Sequence, residues 1–436
     1  MNTDRYLSWG RVQRFPHRVH RLDWLTGDAL ACLQREPGSM LPFGLGRSYG
    51  DVCLNDGGAL LDTSRLTRLI AFDPKTGVLR CEAGLSIADL LRFAVPRGFF
   101  APVTPGTKYV TIGGAIANDV HGKNHHGAGT FGRHVPRFEL ARSDGSRLEC
   151  SREKNAELYR ATIGGLGLTG LITWAEVQLK PIESSRIDVE SIRFESLEEF
   201  LEIEHDSALR CEYTVAWVDT LHRGGVRGIY MRGAHAAGSA RGDLRVPRDS
   251  MLMVPFDAPE VLLGSASMKA FNELYYRKQL ARSQSTRQSY EPFFYPLDAV
   301  LAWNRLYGRR GFFQFQCAIP HDRVETLNAI LDRISASQNG SFLAVLKTFG
   351  ELASPGLMSF PRPGLTLTLD FANRGERTTR LLAELDELTR AAGGRLYPAK
   401  DSTMSRESFV QGYPEARELA RYVDPKFSSS FWRRVT

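Results

Sequence analysis

Pro42-Phe43-Gly44-Leu45-Gly46-Arg47-Ser48-Tyr49-Gly50-Asp51, then Pro105-Gly106-Thr107 with Thr111-Ile112-Gly113-Gly114-Ala115, and finally Ile163-Gly164-Gly165-Leu166-Gly167-Leu168-Thr169-Gly170 are three glycine-rich runs in the first half of a 436-residue chain. Glycine permits positive φ and lets backbone N–H groups approach a ligand closely, so such loops can form an anion nest. None reads G-x-x-x-x-G-K-[ST], and none is a G-x-G-x-x-G opening a helix in a βαβ unit, which disfavours P-loop and Rossmann sites. One run alone is an ordinary turn. Three in one strand-rich region point to a dinucleotide cradled by loops.

Outward from these runs, the chain to about Pro181 alternates short strands with helices. Thr67 to Gly84 predicts a hairpin turning at Asp73-Pro74-Lys75-Thr76-Gly77. A helix follows, capped by Ser86 with Asp89 three residues on, carrying Leu90, Leu91 and Val95 on its apolar side and stopped by Pro96 and Gly98. A second hairpin is predicted from Arg137 to Cys150 around Ser143-Asp144-Gly145-Ser146, and a further strand from Gly170 to Leu179. From about Ile187 longer alternating strands (CEYTVAWVDTL, GFFQFQCAI, GLTLTLDFA) mix with amphipathic helices near Val324–Ile334 and Arg380–Ala392. That predicts a second α+β unit, one sheet covered by helices. The polar, Arg/Ser-rich stretch from Gly238 to Ser289 reads as a long connection, either a mobile lid over a substrate site or a variable surface loop.

Composition narrows the partners. With 42% hydrophobic and 24% charged residues the chain is an ordinary globular protein. No run reaches the roughly 18 apolar residues of a membrane span, and the N-terminus lacks signal-peptide character. An intracellular, cytoplasmic location is expected. The six cysteines are scattered, without C-x-x-C pairs, and read as reduced packed thiols. The net charge of +7 suits nucleic acid, anionic lipid or a phosphorylated substrate, or simply solubility. Dispersed basic residues interleaved with acids argue against a nucleic-acid tail.

The run GLGRSYGD, followed by VTPGTKYVTIGGAIANDVHGKNHHGAGTFG and ATIGGLGLTG, resembles the vanillyl-alcohol-oxidase superfamily of FAD-binding (PCMH-type) oxidoreductases. Within it the resemblance is nearest the decaprenylphosphoryl-β-D-ribose 2-oxidases, the oxidising half of a two-protein epimerase. GFFQFQ, VLKTFG, LTLDF and GRLYPAKDS extend the likeness, in order, over most of the chain. The resemblance implies an α+β fold: a two-subdomain FAD-binding domain (residues 1–185, rejoined by 395–436) with an inserted antiparallel-sheet-plus-helices substrate domain (186–394). It implies FAD contacts from Pro42, Phe43, Gly44, Leu45, Gly46, Arg47, Ser48, Tyr49, Gly50, Asp51, Val52, Gly106, Thr111, Ile112, Gly113, Gly114, Asn118, Asp119, Val120, His121, Ile172 and Tyr397. Many relatives tether flavin through a histidine in the first glycine loop. Tyr49 stands there, and HGKNHHGAG lacks the cysteine of the usual second tether, so non-covalent FAD is implied.

Oxidising a secondary alcohol needs a base for the hydroxyl proton and groups that stabilise negative charge on the reduced cofactor. His121, Lys123, His125 and His126, around Asn124, are the densest titratable cluster. No carboxylate or cysteine joins them at metal-ligand spacing, so no metal is expected; His125 and His126 read equally well as solvated loop residues. By resemblance His121 and Lys123 face flavin and substrate, and Lys400 lies beside the flavin. The base stays open among Lys400, His121, Lys123 and Tyr49. Gln314 and Gln316 share one strand face, with Phe313 and Phe315 on the other; they suit sugar hydroxyls, or else the wet face of an edge strand. Lys347, Gln314 and Gln316 match pocket-lining residues of the family, and Trp217 and Tyr295 are candidate walls. The mycobacterial-type enzymes carry a cysteine, reactive toward covalent inhibitors, where Thr368 stands. Its loss implies resistance and leaves room for a different polyprenyl or nucleotide-linked sugar.

The expected function is therefore oxidation of C2 of a polyprenyl-phosphoryl pentose, in cell wall biogenesis, with a separate NAD(P)H-dependent short-chain reductase completing the epimerisation. Peripheral contact with the inner membrane surface is expected, and nucleic acid is not. An alditol or aldonolactone oxidase acting on soluble polyols shares the cofactor domain. A basic binding protein without catalysis would be colourless. Non-covalent binding predicts that acid precipitation leaves the FAD in the supernatant; flavin retained in the pellet would refute the reading of Tyr49.

Overall fold

The alternation Phe312-Phe313-Gln314-Phe315-Gln316-Cys317-Ala318-Ile319 becomes an inner strand, buried on both faces, of the largest sheet. A period of two sends its neighbours to opposite faces. In a computed structural model describing residues 6–25, 27–222, 225–238, 243–259 and 264–436, that sheet has eight strands. Their order is Ser283–Ser289, Arg186–Phe194, Gly228–His235, Tyr213–Val218, Ala344–Phe349, Gly364–Ala372, Phe312–Ile319 and Arg395–Leu396, antiparallel throughout. One face is apolar. Phe313, Phe315 and Cys317 pack with Leu365, Leu367 and Phe371 against the helices Leu197–Arg210, Glu325–Ser337 and Glu376–Ala391. The other face carries polar groups and looks toward the first half of the chain.

That first half forms three smaller sheets, one of them the antiparallel pair Phe99–Phe100 and Lys180–Pro181. Arg18–Arg21, Ala59–Asp62 and Met40–Phe43 pair in parallel. Leu69–Asp73, Val78–Glu82, Leu171–Gln178, Arg137–Ala141 and Arg147–Ser151 make an antiparallel sheet of five. Both predicted hairpins are present. In the first, Asp73 closes its own turn, its carboxylate accepting from Lys75 N at 2.9 Å and Thr76 Oγ1 at 2.8 Å. Ser86 caps the helix Ile87–Ala94, accepting from Asp89 N at 3.0 Å, and Gly98 leaves the following turn at φ 80°. None of the described helices is long and apolar enough to cross a membrane.

The stretch from 238 to 289 differs from a structureless connection. Residues 239–242 and 260–263 lie outside the described residues. Of the rest, Ser265–Arg277 is a helix and Ser283–Ser289 is the outer edge strand of the large sheet. The sequence Ser-Gln-Ser-Thr-Arg-Gln-Ser hides that strand because it is exposed along most of its length and carries no apolar alternation. The strap 243–259 is tied down by aspartates. Asp249 pairs with Lys108 at 2.9 Å and Arg92 at 2.5 Å, and Asp257 with Arg11 at 2.5 Å.

After Leu396 the chain runs back along the first glycine loop. Tyr49 N donates to Ala399 O at 2.9 Å, and a Cβ on Gly50 would lie 1.6 Å from Asp401 O, so only glycine fits there. Arg434 locks this contact. Its guanidinium reaches Asp51 at 2.9 and 3.0 Å and Asp401 at 3.0 Å, both carboxylates buried. Breaking a buried ion pair from one side leaves uncompensated charge, at a cost of about 3 kcal/mol. Arg434→Ala should therefore destabilise the protein by about that amount in denaturant unfolding; a change within about 0.5 kcal/mol, as expected for a surface position, would show that the clamp carries no stability.

Candidate active site

The three glycine runs converge. Gly44 and Gly46 from the first, Gly113 and Gly114 from the second and Gly167 and Gly170 from the third all line one cavity of about 480 Å³. Gly46 (φ 61°) and Gly167 (φ 75°) adopt left-handed backbone that side chains disfavour. A Cβ on Gly44 would strike Thr111 Oγ1 at 2.6 Å, which presses the first loop onto the cap of the helix Ile112–Ala117. Of the FAD contacts implied by resemblance, Pro42, Gly44, Leu45, Gly46, Arg47, Ser48, Tyr49, Val52, Gly106, Thr111, Gly113, Gly114, Asn118, Val120, His121, Ile172 and Tyr397 line this cavity.

The others lie behind it. Phe43 packs edge-on against Tyr6 at 5.4 Å and Ile112 is core. Gly50 and Asp51 face Asp401 and Arg434. Asp119 is buried and accepts from the Ser354 and Ser359 hydroxyls and Gly132 N. Each of these supports the loop backbone rather than the lumen.

The opposite wall is the polar face of the large sheet. Register sets Gln314 beside Asp370, Gln316 beside Thr368, Val345 beside both Thr368 and Trp217, and Lys347 beside Thr366. Trp217, Gln314, Gln316, Lys347 and Thr368 line the cavity with Lys400, Lys123 and His121. Tyr295 does not. It stands one layer back in an aromatic cluster, its hydroxyl sharing a 2.7 Å hydrogen bond with the lining residue Thr104. His125 is not solvated either. Its ring packs on Phe349 at 4.7 Å, and His126 Nε2 lies 2.9 Å from Cys211 O; neither lines the cavity.

A polar network fixes the inner end. The Gln316 amide donates to His121 Nε2 at 2.9 Å and Thr366 Oγ1 at 3.1 Å, making the neutral imidazole the Nδ1–H tautomer. The Gln314 amide donates to Asp370. Lys400 Nζ sits 4.1 Å above the Tyr49 ring, and Lys123 Nζ donates to Phe293 O and lies 4.4 Å over its ring. Arg47 stacks on Trp9 at 4.0 Å.

Burial governs the titrations. It lowers Lys123 to about 7 and Lys347 to about 8, and drives His121 well below its ordinary range. Lys400 falls by the same cause, with Asp370 opposing the shift. Burial raises the Asp370 carboxyl, and it raises the Tyr49 phenol with help from Asp370. Arg47, Lys123, Lys347 and Lys400 line the cavity, and among the described residues no carboxylate does. Such a site suits an anion. Arg47 Nε, Asn118 Oδ1, His121 Nδ1 and Gln314 Oε1 are buried without a partner among the described residues, so the lining presents unsatisfied donors and acceptors to a polar guest. Glycine-rich loops, free donors and cationic walls fit FAD.

Sequence reasoning missed Asp370. The signal was there: Thr366, Thr368 and Asp370 alternate with Leu365, Leu367, Leu369 and Phe371, which puts a charge on the polar face. It also missed Phe271, Tyr275 and Phe342, which pack together and give the cavity an aromatic wall. No local pattern marks them.

Comparison with known proteins agrees with this geometry. Residues 27–151 match the FAD binding domain family. The chain is 37% identical over 410 residues to decaprenylphosphoryl-β-D-ribose oxidase of Mycolicibacterium smegmatis, covering 90% of this chain and 88% of that one. It is 35% identical over 371 residues to an uncharacterised protein of Streptomyces coelicolor, covering 80% of this chain and 100% of that one. Similarity to L-gulonolactone oxidase of Mus musculus is 27% over 156 residues, 35% of this chain and 34% of the other.

Proposed function

This chain belongs to the decaprenylphosphoryl-β-D-ribose oxidase family, FAD-dependent oxidoreductases of PCMH type acting on CH–OH groups, and from that premise we propose that it oxidises C2 of a polyprenyl-phosphoryl ribose to the 2-keto sugar. The product is the first half of a 2-epimerisation in cell-envelope arabinan or related glycan synthesis, which a separate NAD(P)H-dependent short-chain reductase completes. The reading places the enzyme in the cytoplasm, peripheral to the inner membrane surface. Residues 1–185 and 395–436 form the two-subdomain cofactor-binding domain, and 186–394 the substrate domain. The observation that carries the reading is the mixed lining of the cavity: lysine and amide side chains (Lys123, Lys347, Lys400, Gln314, Gln316) together with the aromatic side chains Trp217, Phe271, Tyr275 and Phe342. A phosphorylated sugar on an apolar chain matches both kinds of group.

FAD, held without a covalent bond by the glycine loops, supplies the hydride acceptor. Lys347 and Lys123 attract the phosphate as cations, and Gln314 and Gln316 bind sugar hydroxyls. Lys400 takes the hydroxyl proton. Its rivals are committed elsewhere: burial keeps the Tyr49 phenol protonated, the His121 Nε2 lone pair already accepts from Gln316, and Lys123 donates to Phe293 O. Lys400 must be neutral to accept a proton, and burial lowers its pKa toward the working range. Thr368 stands on the cavity wall where the mycobacterial-type cysteine would stand.

The sugar is tested by anaerobic flavin bleaching. Polyprenyl-phosphoryl ribose should bleach the flavin while xylitol and gulonolactone do not; bleaching by the soluble polyols alone would make this an alditol or aldonolactone oxidase.

Lys400 has its own test. Lys400→Ala should slow flavin reduction about 100-fold or more. The rate should rise with pH as Lys400 deprotonates. Asp370 raises the Lys400 pKa, so Asp370→Asn should move that rising limb to lower pH. A normal rate in Lys400→Ala, or an unmoved limb in Asp370→Asn, would remove Lys400 from the role.

A further inference from the structure

Large apolar side chains are held in water on the strap and on the helix Ser265–Arg277. Met251 is 96% exposed, Leu252 68%, Phe256 70% and, on the helix Ser265–Arg277, Leu274 71%. They are not on a loose loop. The strap that carries Met251 to Phe256 is pinned on one side by Asp249 to Lys108 and Arg92, and on the other by Asp257 to Arg11. Between the pins Leu301 N donates to Leu252 O at 2.8 Å and Val254 N to Leu301 O at 3.0 Å. Ion pairs and backbone bonds thus fix the strap while its apolar side chains face solvent. A patch of this kind marks an interaction surface.

Two observations identify what covers it. The first is continuity with the cavity: Phe271, on the same helix as Leu274, is 43% exposed and also lines the lumen, next to Tyr275 and Phe342. Trp303 and Leu297, flanking the segment that pairs with the strap, line it too. Apolar surface therefore runs from the strap into the aromatic wall of the cavity. The second is charge: Arg245 and Arg248 on the strap and Lys269 and Lys278 at the helix are exposed, on a chain of net charge +7. Protruding apolar side chains with exposed basic residues on the same segments are the chemistry of an anionic bilayer surface.

We propose that the strap 250–257 and the outer side of the helix Ser265–Arg277 seat this protein on an anionic lipid bilayer with the cavity mouth against the lipid. Resting on the proposed function, this gives a lipid-linked substrate a route from bilayer to cavity that does not cross water. Catalysis needs no bilayer when the substrate is itself water-soluble.

The test uses FAD-loaded protein floated with phosphatidylcholine vesicles, with and without phosphatidylglycerol. The wild type should bind the phosphatidylglycerol vesicles and release in high salt. A variant carrying Met251→Ser, Leu252→Ser and Phe256→Ser, with wild-type melting and flavin spectrum, should bind at least about tenfold more weakly. It should lose activity on long-chain substrate in vesicles but keep anaerobic bleaching by a water-soluble short-chain prenyl-phosphoryl ribose. Wild type that ignores both vesicles, or a variant that binds as wild type does, overturns the proposal. So does a concentration-dependent dimer in sedimentation that the variant abolishes, because a second copy then covers the patch. Vesicle binding without bleaching by either substrate would instead refute the sugar and leave the membrane surface standing.

Discussion

The meeting of three distant carboxylate and guanidinium groups, Asp51, Asp401 and Arg434, is the constraint from which the site follows. Asp401 and Asp51 are both buried, and burial raises the Asp401 carboxyl toward neutrality. A carboxylate so placed is stable only when hydrogen-bonded and paired. Arg434 supplies the pairing, and the Thr403 and Met404 amides, each 2.8 Å from Asp401 Oδ1, supply the rest. With the return segment fixed, the first glycine loop has no freedom left. Its Tyr49 amide bonds to Ala399 O and its Ser48 carbonyl accepts from Trp9 N at 2.7 Å. Lys400, on the same return, then falls over the Tyr49 ring. The placement of Lys400 is inherited from a structural clamp.

The large sheet resolves a second constraint by giving each face a different solvent. Phe313, Phe315 and Cys317 complete an ordinary helix-covered core, while Gln314 and Gln316 on the same strand reach a cavity. The amide N–H groups of the inner face are held by protein partners, while Gln314 Oε1 is left for a guest. Gln316 finds His121 and Thr366, and Gln314 finds Asp370. These bonds tie the sheet to the cofactor half through His121, so the two walls of the cavity keep their register with each other.

Local pattern made the frame legible. Ser86 with Asp89, the Asp73 turn, the two hairpins and the strand at 312–319 all rest on contacts within a few residues or on strict alternation, and all are present. The convergence of the glycine runs could be read because three independent loops carried the same signal. Arg434 could not be read: its partners lie 33 and 383 residues away, and no spacing rule links them. The edge strand Ser283–Ser289 was hidden because most of its side chains are wet. Tyr295 misled for the opposite reason. A buried aromatic next to a site looks the same in sequence whether it forms the wall or braces it, and here its hydroxyl braces Thr104.

The charge inventory of the cavity links its chemistry to its stability. Lys123, Lys347 and Lys400 are lowered chiefly by desolvation, which means that the fold disfavours their charged forms. Among the described residues Asp370 is the carboxylate that acts on Lys400, and burial weakens its own ionisation. Protein groups alone therefore leave the inner cavity short of negative charge. An anion bound there lets the lysines protonate fully, and by linkage whatever binds the folded state alone also stabilises it. The lysines nevertheless differ in their neighbours. Asp370 opposes the desolvation that lowers Lys400, whereas Lys123 and Lys347 are lowered without such an opposing carboxylate. Equally buried lysines therefore need not titrate alike, because their nearest neighbours differ.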